Sequence, residues 1–244
     1  MKLAKAKKGN FYVWRFIQLN RSRAAIFLTL FLLAVMLFII GIRPYASLGL
    51  IMIPLSYALG LYAYRCYLTW NSGPQGEGRI MYELKKLNDD YVLVKNAIIP
   101  PSRGDIDYVL AGPTGVFAIE AKNLGGIVSC DGDFWTREKI GRSGRPYPLE
   151  IGSPSRQVKR SAKTLKDFIL RRRSSIFGKT SQHIWVYGIL VFVNKDSVLR
   201  LKNPTVEILD IGEINRFVSS RRDIRLSKSE VAKIAEYVSG RAIR

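Results

Sequence analysis

An acid and a base stand close together at the end of an apolar run. In the stretch GVFAIEAKN, residues 115–123, Glu120 and Lys122 are separated only by Ala121. Four apolar residues precede them, which is typical of a buried strand. Because side chains on a strand alternate between its two faces, the spacing points Glu120 and Lys122 in the same direction.

Two acids have the same spacing on the preceding segment. Asp105 and Asp107 begin the stretch DIDYVLAG, and the turn GPTG joins this stretch to the one that carries Glu120. A short turn with glycine at both ends predicts an antiparallel hairpin. A hairpin centred on the Pro-Thr dipeptide of that turn places Asp107 opposite Glu120.

These residue types indicate chemistry at a divalent cation. Two facing carboxylates repel each other, and one of them takes a raised pKa, unless a cation lies between them. Mg²⁺ binds one or two carboxylates and keeps waters and phosphate oxygens in its other positions, and the carbonyl of Ala121 would add a ligand. Lys122 would then orient or deprotonate a water molecule and stabilise developing negative charge. The set Asp107, Glu120 and Lys122 therefore predicts metal-dependent hydrolysis of phosphodiester bonds, with Mg²⁺ or Mn²⁺ as cofactor.

The surrounding pattern predicts an α/β domain, a mixed sheet flanked by helices. A helix with Ile80, Leu84 and Leu87 on one face opens it, and an amphipathic helix capped by Ser153 follows the hairpins. Strands are predicted at 91–99, 105–112, 115–123, 183–194 and 205–210, and a smaller hairpin is predicted to turn at 131–132. Further helices are predicted at 211–220 and 227–239. The Gly/Pro/Ser-rich stretch 141–154 between the small hairpin and the amphipathic helix is expected to be a mobile loop.

Charge is distributed unevenly along the chain. Its formal net charge is +20, from 39 Lys and Arg against 19 Asp and Glu, and no acid precedes Glu77. Such an excess predicts polyanionic partners, namely nucleic acid, an anionic membrane surface, or both. The chain has two cysteines and one histidine, His183, so it offers few residues for a zinc ligand set or a histidine-based catalytic triad.

Two uncharged apolar runs, 24–42 and 45–64, are each about the ~20 residues that cross a bilayer as a helix. Only Arg43 and Pro44 separate them, which predicts a tight transmembrane hairpin. Seven cations precede the first run, so both termini are expected in the cytoplasm of a two-span protein of the cell membrane. A cleaved signal peptide and a buried soluble hairpin are the alternatives. The predicted division is a basic arm (1–23), a transmembrane hairpin (24–64), a linker (65–75) and a cytoplasmic domain (76–244), with a core at about 76–193 and C-terminal strand and helices at 205–240.

Several blocks together resemble one family. The pattern D-x12-E-x-K is similar to the PD-(D/E)xK nuclease superfamily. The stretches GEGRIMYEL, GDIDYVLAGPTGVFAIEAKNLGGIVSCDGDFW and SPSRQVKRSAKTL, in this order from about Gly76 to Phe192, resemble the NERD family, the nuclease-related domain. The resemblance implies a restriction-endonuclease-like core and a nuclease activity, on DNA rather than RNA by analogy with the superfamily.

The resemblance also implies roles for single residues. Asp107 and Glu120 would hold the metal, Lys122 would serve the water, Glu77 would match the family's helix acid, and Gln157 would match its polar residue on the later helix. The chain departs from the family in having Tyr108 where members often have His, and Ser153 where the helix commonly begins with Asn. Neither departure removes an expected metal ligand.

Cations near the expected site favour contacts with phosphates. They lie in the expected loop and on the amphipathic helix, and are Arg142, Arg145, Arg156, Lys159, Arg160 and Lys163. Two alternatives stay open. An E-x-K on its own is usually a solvated strand end, and the chain would also fit a non-catalytic nucleic-acid-binding or membrane-scaffolding module that keeps the fold.

Overall fold

The computed structural model describes residues 1–5, 11–41, 45–100, 104–141, 144–178 and 184–240. The chain divides into two compact units. One unit joins residues 1–9 to residues 76–244, and the other comprises residues 10–75. The turn expected at Arg43 and Pro44 and the cation Arg142 lie outside the described residues.

A mixed six-stranded sheet is the centre of the larger unit. Its strands are β1 (Lys2–Lys5), β2 (Val92–Ile98), β3 (Asp105–Gly112), β4 (Gly115–Lys122), β8 (Val186–Phe192) and β10 (Glu207–Asp210), which lie side by side in this order. β2, β3 and β4 are antiparallel neighbours, whereas β1 pairs with β2, β4 with β8 and β8 with β10 in parallel. The α/β fold class expected from the sequence is confirmed.

A second sheet of four strands stands beside the first in the same unit. It has the order β7 (Pro146–Leu149), β6 (Phe134–Ile140), β5 (Gly126–Asp131) and β9 (Ser197–Lys202). The small hairpin turning at Asp131 and Gly132 is confirmed as β5 and β6. The sequence pattern did not predict β9, and the stretch expected to be a mobile loop contains β7. Both are short, and their alternation is too weak to stand out from loop composition.

Helices cover the faces of the central sheet. They are α3 (Pro154–Leu170), α4 (Arg173–Phe177), α5 (Ile214–Ser220), which a 3₁₀ turn at Ile211–Glu213 precedes, and α6 (Lys228–Ser239). α3 buries Val158, Leu165 and Ile169, the stripe that its period predicted. Its N-terminus is capped by the Ser153 hydroxyl, which accepts from the Arg156 amide.

The smaller unit consists of α1 (Phe11–Ile40) and most of α2 (Tyr45–Leu84). Two segments of these helices, Arg15–Ile40 and Ala46–Leu68, are long and apolar enough to cross a membrane. Only 6% and 17% of their most apolar windows are buried, so their apolar side chains face outward. Gly49 allows close helix packing, because a Cβ there would lie 2.7 Å from the Ala34 carbonyl oxygen.

The expected linker at 65–75 is helical in the structure, because α2 continues from Tyr45 to Leu84. Gly73 and Pro74 suggested a break, but α2 continues through both. Gly76, just beyond this segment, is buried, and a Cβ there would come within 2.5 Å of Val193 Cγ2. Glycine at this position therefore permits close contact between the helix and the chain just after β8.

The expected basic arm is also corrected in part. Lys2–Lys5 forms β1, in parallel register with Val92–Lys95 of β2, and α1 begins at Phe11. β1 gives β2 a partner on its outer edge, where backbone groups would otherwise lack hydrogen bonds from the sheet. A strand of four residues is too short to show a periodic pattern among the lysines of this segment.

Candidate active site

The hairpin of β3 and β4 brings the first two candidate residues together. Its register pairs Tyr108 with Ile119 and Gly112 with Gly115, which confirms the register expected from the turn. One further pair in this register sets Asp107 opposite Glu120. Asp107 Oδ2 accepts a hydrogen bond of 2.9 Å from the Ala121 amide, so this carboxylate is fixed across the two strands.

Glu120, Lys122 and Gln157 form a connected polar group. Lys122 Nζ donates to Glu120 Oε1 at 2.6 Å and to Gln157 Oε1 at 2.9 Å. Glu120 and Lys122 therefore lie on the same face of β4, and Gln157 reaches them from the first turns of α3. Lys122 and Gln157 are 35 positions apart in sequence, and packing of α3 on the sheet joins them.

Burial makes the Glu120 carboxyl group unusual. The residue is only 3% exposed. Loss of solvation raises its pKa to about 7, and the nearby negative charge of Asp107 adds to this, although Lys122 acts in the opposite direction. A carboxyl group with such a pKa is poised to change its charge near neutral pH, as functional acids commonly are.

The donor set fits a divalent cation. Glu120 Oε2 is buried and has no hydrogen-bond partner among the described residues. An orphan oxygen of this kind, beside Asp107 and one residue before the Ala121 carbonyl, matches the oxygen ligands of Mg²⁺, which needs only one or two carboxylates. Within the described part of the chain, no three His, Cys, Asp or Glu side chains gather into a metal-binding group.

Glu77 lies in α2, and its side chain is outside what the structure describes. The backbone beside it is close to the site. A Cβ on Gly76 would lie 3.7 Å from the Asn123 Cβ, and Asn123 follows Lys122 directly. Val193, which Gly76 also approaches, donates its amide to the Lys122 carbonyl at 3.0 Å.

A hydrogen-bonded hub that the sequence did not reveal holds the start of α3. Ser155 is fully buried; its hydroxyl donates to Asp133 Oδ1 at 2.7 Å and accepts from Trp135 Nε1 at 3.0 Å. Asp133 also accepts from Lys159 and Thr205, and these bonds hold the pKa of its carboxyl group well below the usual range. The hub joins the turn between β5 and β6 to α3 two residues before Gln157. An Asp in a D-G-D turn carries no sequence signal for such contacts.

A cleft of about 360 Å³ adjoins the site. Asp105 and Ile106 line one side, and Gln157, Arg160 and Thr164 of α3 line the other. Among the other cations expected to contact phosphates, Arg145 and Arg156 are exposed. The remaining two described cations are paired with acids: Lys159 with Asp133 and Lys163 with Asp167, each at 2.8 Å.

A mixed sheet that brings two carboxylates and a lysine to one strand end, with a glutamine from the next helix, is a nuclease-like α/β arrangement. The family model described as the nuclease-related domain, NERD, matches residues 72–193, which is half of the chain. The chain belongs to the NERD family. The matched range contains Glu77, Asp107, Glu120, Lys122 and Gln157. No curated protein and no solved structure was found to match the chain.

Proposed function

We propose that the chain is a membrane-anchored nuclease that hydrolyses phosphodiester bonds with the help of Mg²⁺ or Mn²⁺. The observation that carries this proposal is the Lys122 ammonium group, which is held between Glu120 and Gln157 beside the Asp107 carboxylate. Membership of a nuclease-related family supports the same activity.

Each side chain has a defined task in this reaction. Asp107, Glu120 and the Ala121 carbonyl hold the cation, which supplies Lewis-acid stabilisation of charge on the phosphate. Lys122 orients the attacking water and donates to the developing negative charge. Gln157 fixes the position of Lys122 Nζ, because its amide oxygen accepts one of the three protons.

The substrate belongs to the same proposal. DNA is preferred to RNA on the analogy with the nuclease superfamily alone. Arg160 lines the cleft beside Gln157, and Arg145 and Arg156 are exposed. These three guanidinium groups suit contacts with a phosphate backbone.

A cleavage assay tests the activity. The full chain in detergent is incubated with supercoiled plasmid and linear duplex, with Mg²⁺, with Mn²⁺, or with EDTA. We expect cleavage with either metal and none with EDTA. Glu120→Gln and Lys122→Met should each lower the rate about 100-fold or more, because the first weakens a proposed ligand of the cation and the second removes the proposed partner of the attacking water.

Exposed residues of β6 provide matched controls. Glu138→Gln and Lys139→Met make the same changes of charge on solvent-facing positions and should leave the rate within about twofold. Equal rates for Glu120→Gln and Glu138→Gln would contradict the assigned site.

One observation favours a second candidate, a non-catalytic nucleic-acid-binding module. Among the described residues, no group of three His, Cys, Asp or Glu side chains could hold a metal ion, so Asp107 and Glu120 have no third side-chain ligand of these types there. Intact plasmid under all metal conditions, together with retained binding of plasmid, would support this candidate and exclude the nuclease.

The two helices that are long and apolar enough to cross a membrane support the proposed anchor. β1 belongs to the same unit as residues 76–244, so the chain leaves that unit before α1 and returns to it along α2. If both helices cross the membrane, the chain returns after the second helix to the side of the membrane on which the first helix began. The seven cations before the first span favour the cytoplasm as that side.

A further inference from the structure

A second groove, of about 820 Å³, lies on the other flank of α3. It is lined by α3, the residues at the start of β8, the segment from Pro204 to Glu207, and Arg221. All these residues belong to the larger unit. The groove is more than twice as large as the cleft beside Gln157 and is separate from it.

The two faces of α3 serve the two cavities. Gln157, Arg160 and Thr164 line the cleft at the candidate active site. Lys159, Lys163 and Lys166 repeat at intervals of three and four residues, so they form a different stripe of the helix and line the second groove. One helix therefore separates the reacting centre from a second cationic surface.

Trp185 is the feature of this groove that fold stability does not explain. Its side chain is 51% exposed, although the chain enters the buried strand β8 at the next residue. Lys166 Nζ lies over the indole ring, 5.1 Å from its centre. A half-exposed indole with an ammonium group over one face is suited to a planar ligand that carries negative charge and stacks on the other face.

The charges of the groove favour a polyanion. Its lining contains four cations and one carboxylate, Glu207. Lys159 and Lys163 are paired with aspartates and Arg221 lies 3.9 Å from Glu207, whereas Lys166 has no acid in ion-pair distance among the described residues. The side chain of Lys163 is 76% exposed, so a phosphate can replace Asp167 as its partner without desolvation of a buried pair.

We infer that this groove binds an unpaired strand of nucleic acid, with a base stacked on Trp185 and phosphates at Lys163 and Lys166. The inference rests on the proposed function. In a nuclease, the groove would bind a part of the nucleic acid that lies outside the active site. Bases in a duplex are stacked on each other and offer no free face, so the indole ring selects a single strand.

Binding measurements in EDTA test the groove without cleavage. The full chain in detergent is titrated into a fluorescein-labelled oligodeoxythymidine of 20 residues and, separately, into a 20-base-pair duplex, and anisotropy is followed at several salt concentrations. Trp185→Ala should weaken binding of the single strand about tenfold and leave the duplex unchanged. Trp185→Phe, which keeps an aromatic face, should bind the single strand within about threefold of the wild type.

Two further variants separate the groove from general surface effects. Lys163→Gln with Lys166→Gln should lower the slope of log affinity against log salt for the single strand by about 1.4. Phe134→Ala removes an aromatic side chain that is 72% exposed on the second sheet and should change nothing. Thermal unfolding of each variant checks that its fold is kept.

Several results would overturn the inference. Equal binding of the single strand by the wild type and Trp185→Ala would do so, as would no binding by the wild type. A flotation assay tests lipid as the ligand: the chain in neutral-lipid nanodiscs is mixed with vesicles of phosphatidylcholine containing phosphatidylglycerol. If Trp185→Ala weakens binding to these vesicles and leaves binding of the single strand unchanged, the groove is a lipid surface and the inference is refuted. Cleavage of plasmid without a Trp185 effect refutes the groove alone, whereas a Trp185 effect without cleavage refutes the nuclease alone.

Discussion

Without a bound cation, the surroundings of Glu120 are unfavourable for an ionised carboxylate. Its carboxyl group is almost fully buried, and one oxygen has no hydrogen-bond partner among the described residues. A buried carboxylate is stable only when charge and hydrogen bonds replace the lost water. Lys122 provides part of that replacement, yet burial and Asp107 outweigh it, since the pKa is raised to about 7. The site is therefore arranged to receive further positive charge.

Stability of the metal-free protein should depend on this group in a defined pH range. In the folded chain Glu120 keeps its proton up to about pH 7, whereas the unfolded chain loses it near 4.5. The folded state thus binds more protons between these values, and wild-type stability falls as the pH rises from about 4.5 through 7. Glu120→Gln lacks this titration, so the variant should gain about 3 kcal/mol relative to the wild type between pH 4 and pH 8.

Urea unfolding of the detergent-solubilised chain in EDTA at both pH values measures this difference. The exposed carboxyl of Glu138 supplies the control, because Glu138→Gln should track the wild type at both pH values. A constant difference between Glu120→Gln and wild type would mean that Glu120 is ionised throughout the range.

The local sequence pattern predicted the site residues of the β3–β4 hairpin. It did not predict the site residues that lie far from this hairpin in sequence. The alternation of a strand and a four-residue turn were enough to bring Asp107, Glu120 and Lys122 together. Gln157 entered only through family resemblance, because the packing that delivers it leaves no local pattern. The contacts of Asp133 and Ser155 had no signal at all, since each depends on three segments meeting.

At the scale of elements, α3 connects the candidate active site with the rest of the fold. Its N-terminus is fixed by the Ser153 cap and by the hub of Asp133 and Ser155. Gly188 lets the helix lie close to β8, where a Cβ would come within 2.6 Å of Val158 Cγ1. These contacts set the distance of 2.9 Å between Gln157 and Lys122.

Ser155→Ala should expose how much this hub stabilises the unit. The substitution leaves the indole N–H of the buried Trp135 without a partner, which costs about 1–3 kcal/mol. Ser174→Ala on α4 is the matched control, because Ser174 is exposed, and its effect should stay within about 0.5 kcal/mol. Urea unfolding of both variants compares them, and equal midpoints would mean that the hub adds nothing to stability.

Long elements were predicted well, and short or overridden ones were not. The buried stripe of α3 has enough repeats to reveal its period, and so do Ile80 and Leu84 in the last turns of α2. β1, β7 and β9 have four to six residues, too few to distinguish from loops. The helical conformation of residues 65–75 goes against glycine and proline content, and only the packing of Gly76 against Val193 explains part of it.

At the scale of the whole molecule, charge and topology act together. Under the proposed function, the cations before α1 would face a lipid leaflet and those of the larger unit a nucleic acid, both of which are anionic. β1 adds a topological constraint that charge does not provide. Because Lys2–Lys5 pairs with β2, it belongs to the same unit as residues 76–244, and under the proposed anchoring both would lie on one side of the membrane.

Single cysteines test this constraint and the orientation separately. With Cys66 and Cys130 replaced by Ala, one cysteine is placed at Lys2, Ser174 or Ser47, all exposed positions. Lys2→Cys and Ser174→Cys should react alike with a membrane-impermeant maleimide, because β1 ties both to one unit. Both should be protected in intact cells and react after permeabilisation, since positive flanks stay in the cytoplasm. Ser47→Cys, near the turn between the spans, should react in intact cells. Different behaviour of Lys2→Cys and Ser174→Cys would refute the pairing of β1 in the membrane-bound protein, whereas reaction of both in intact cells would refute only the orientation.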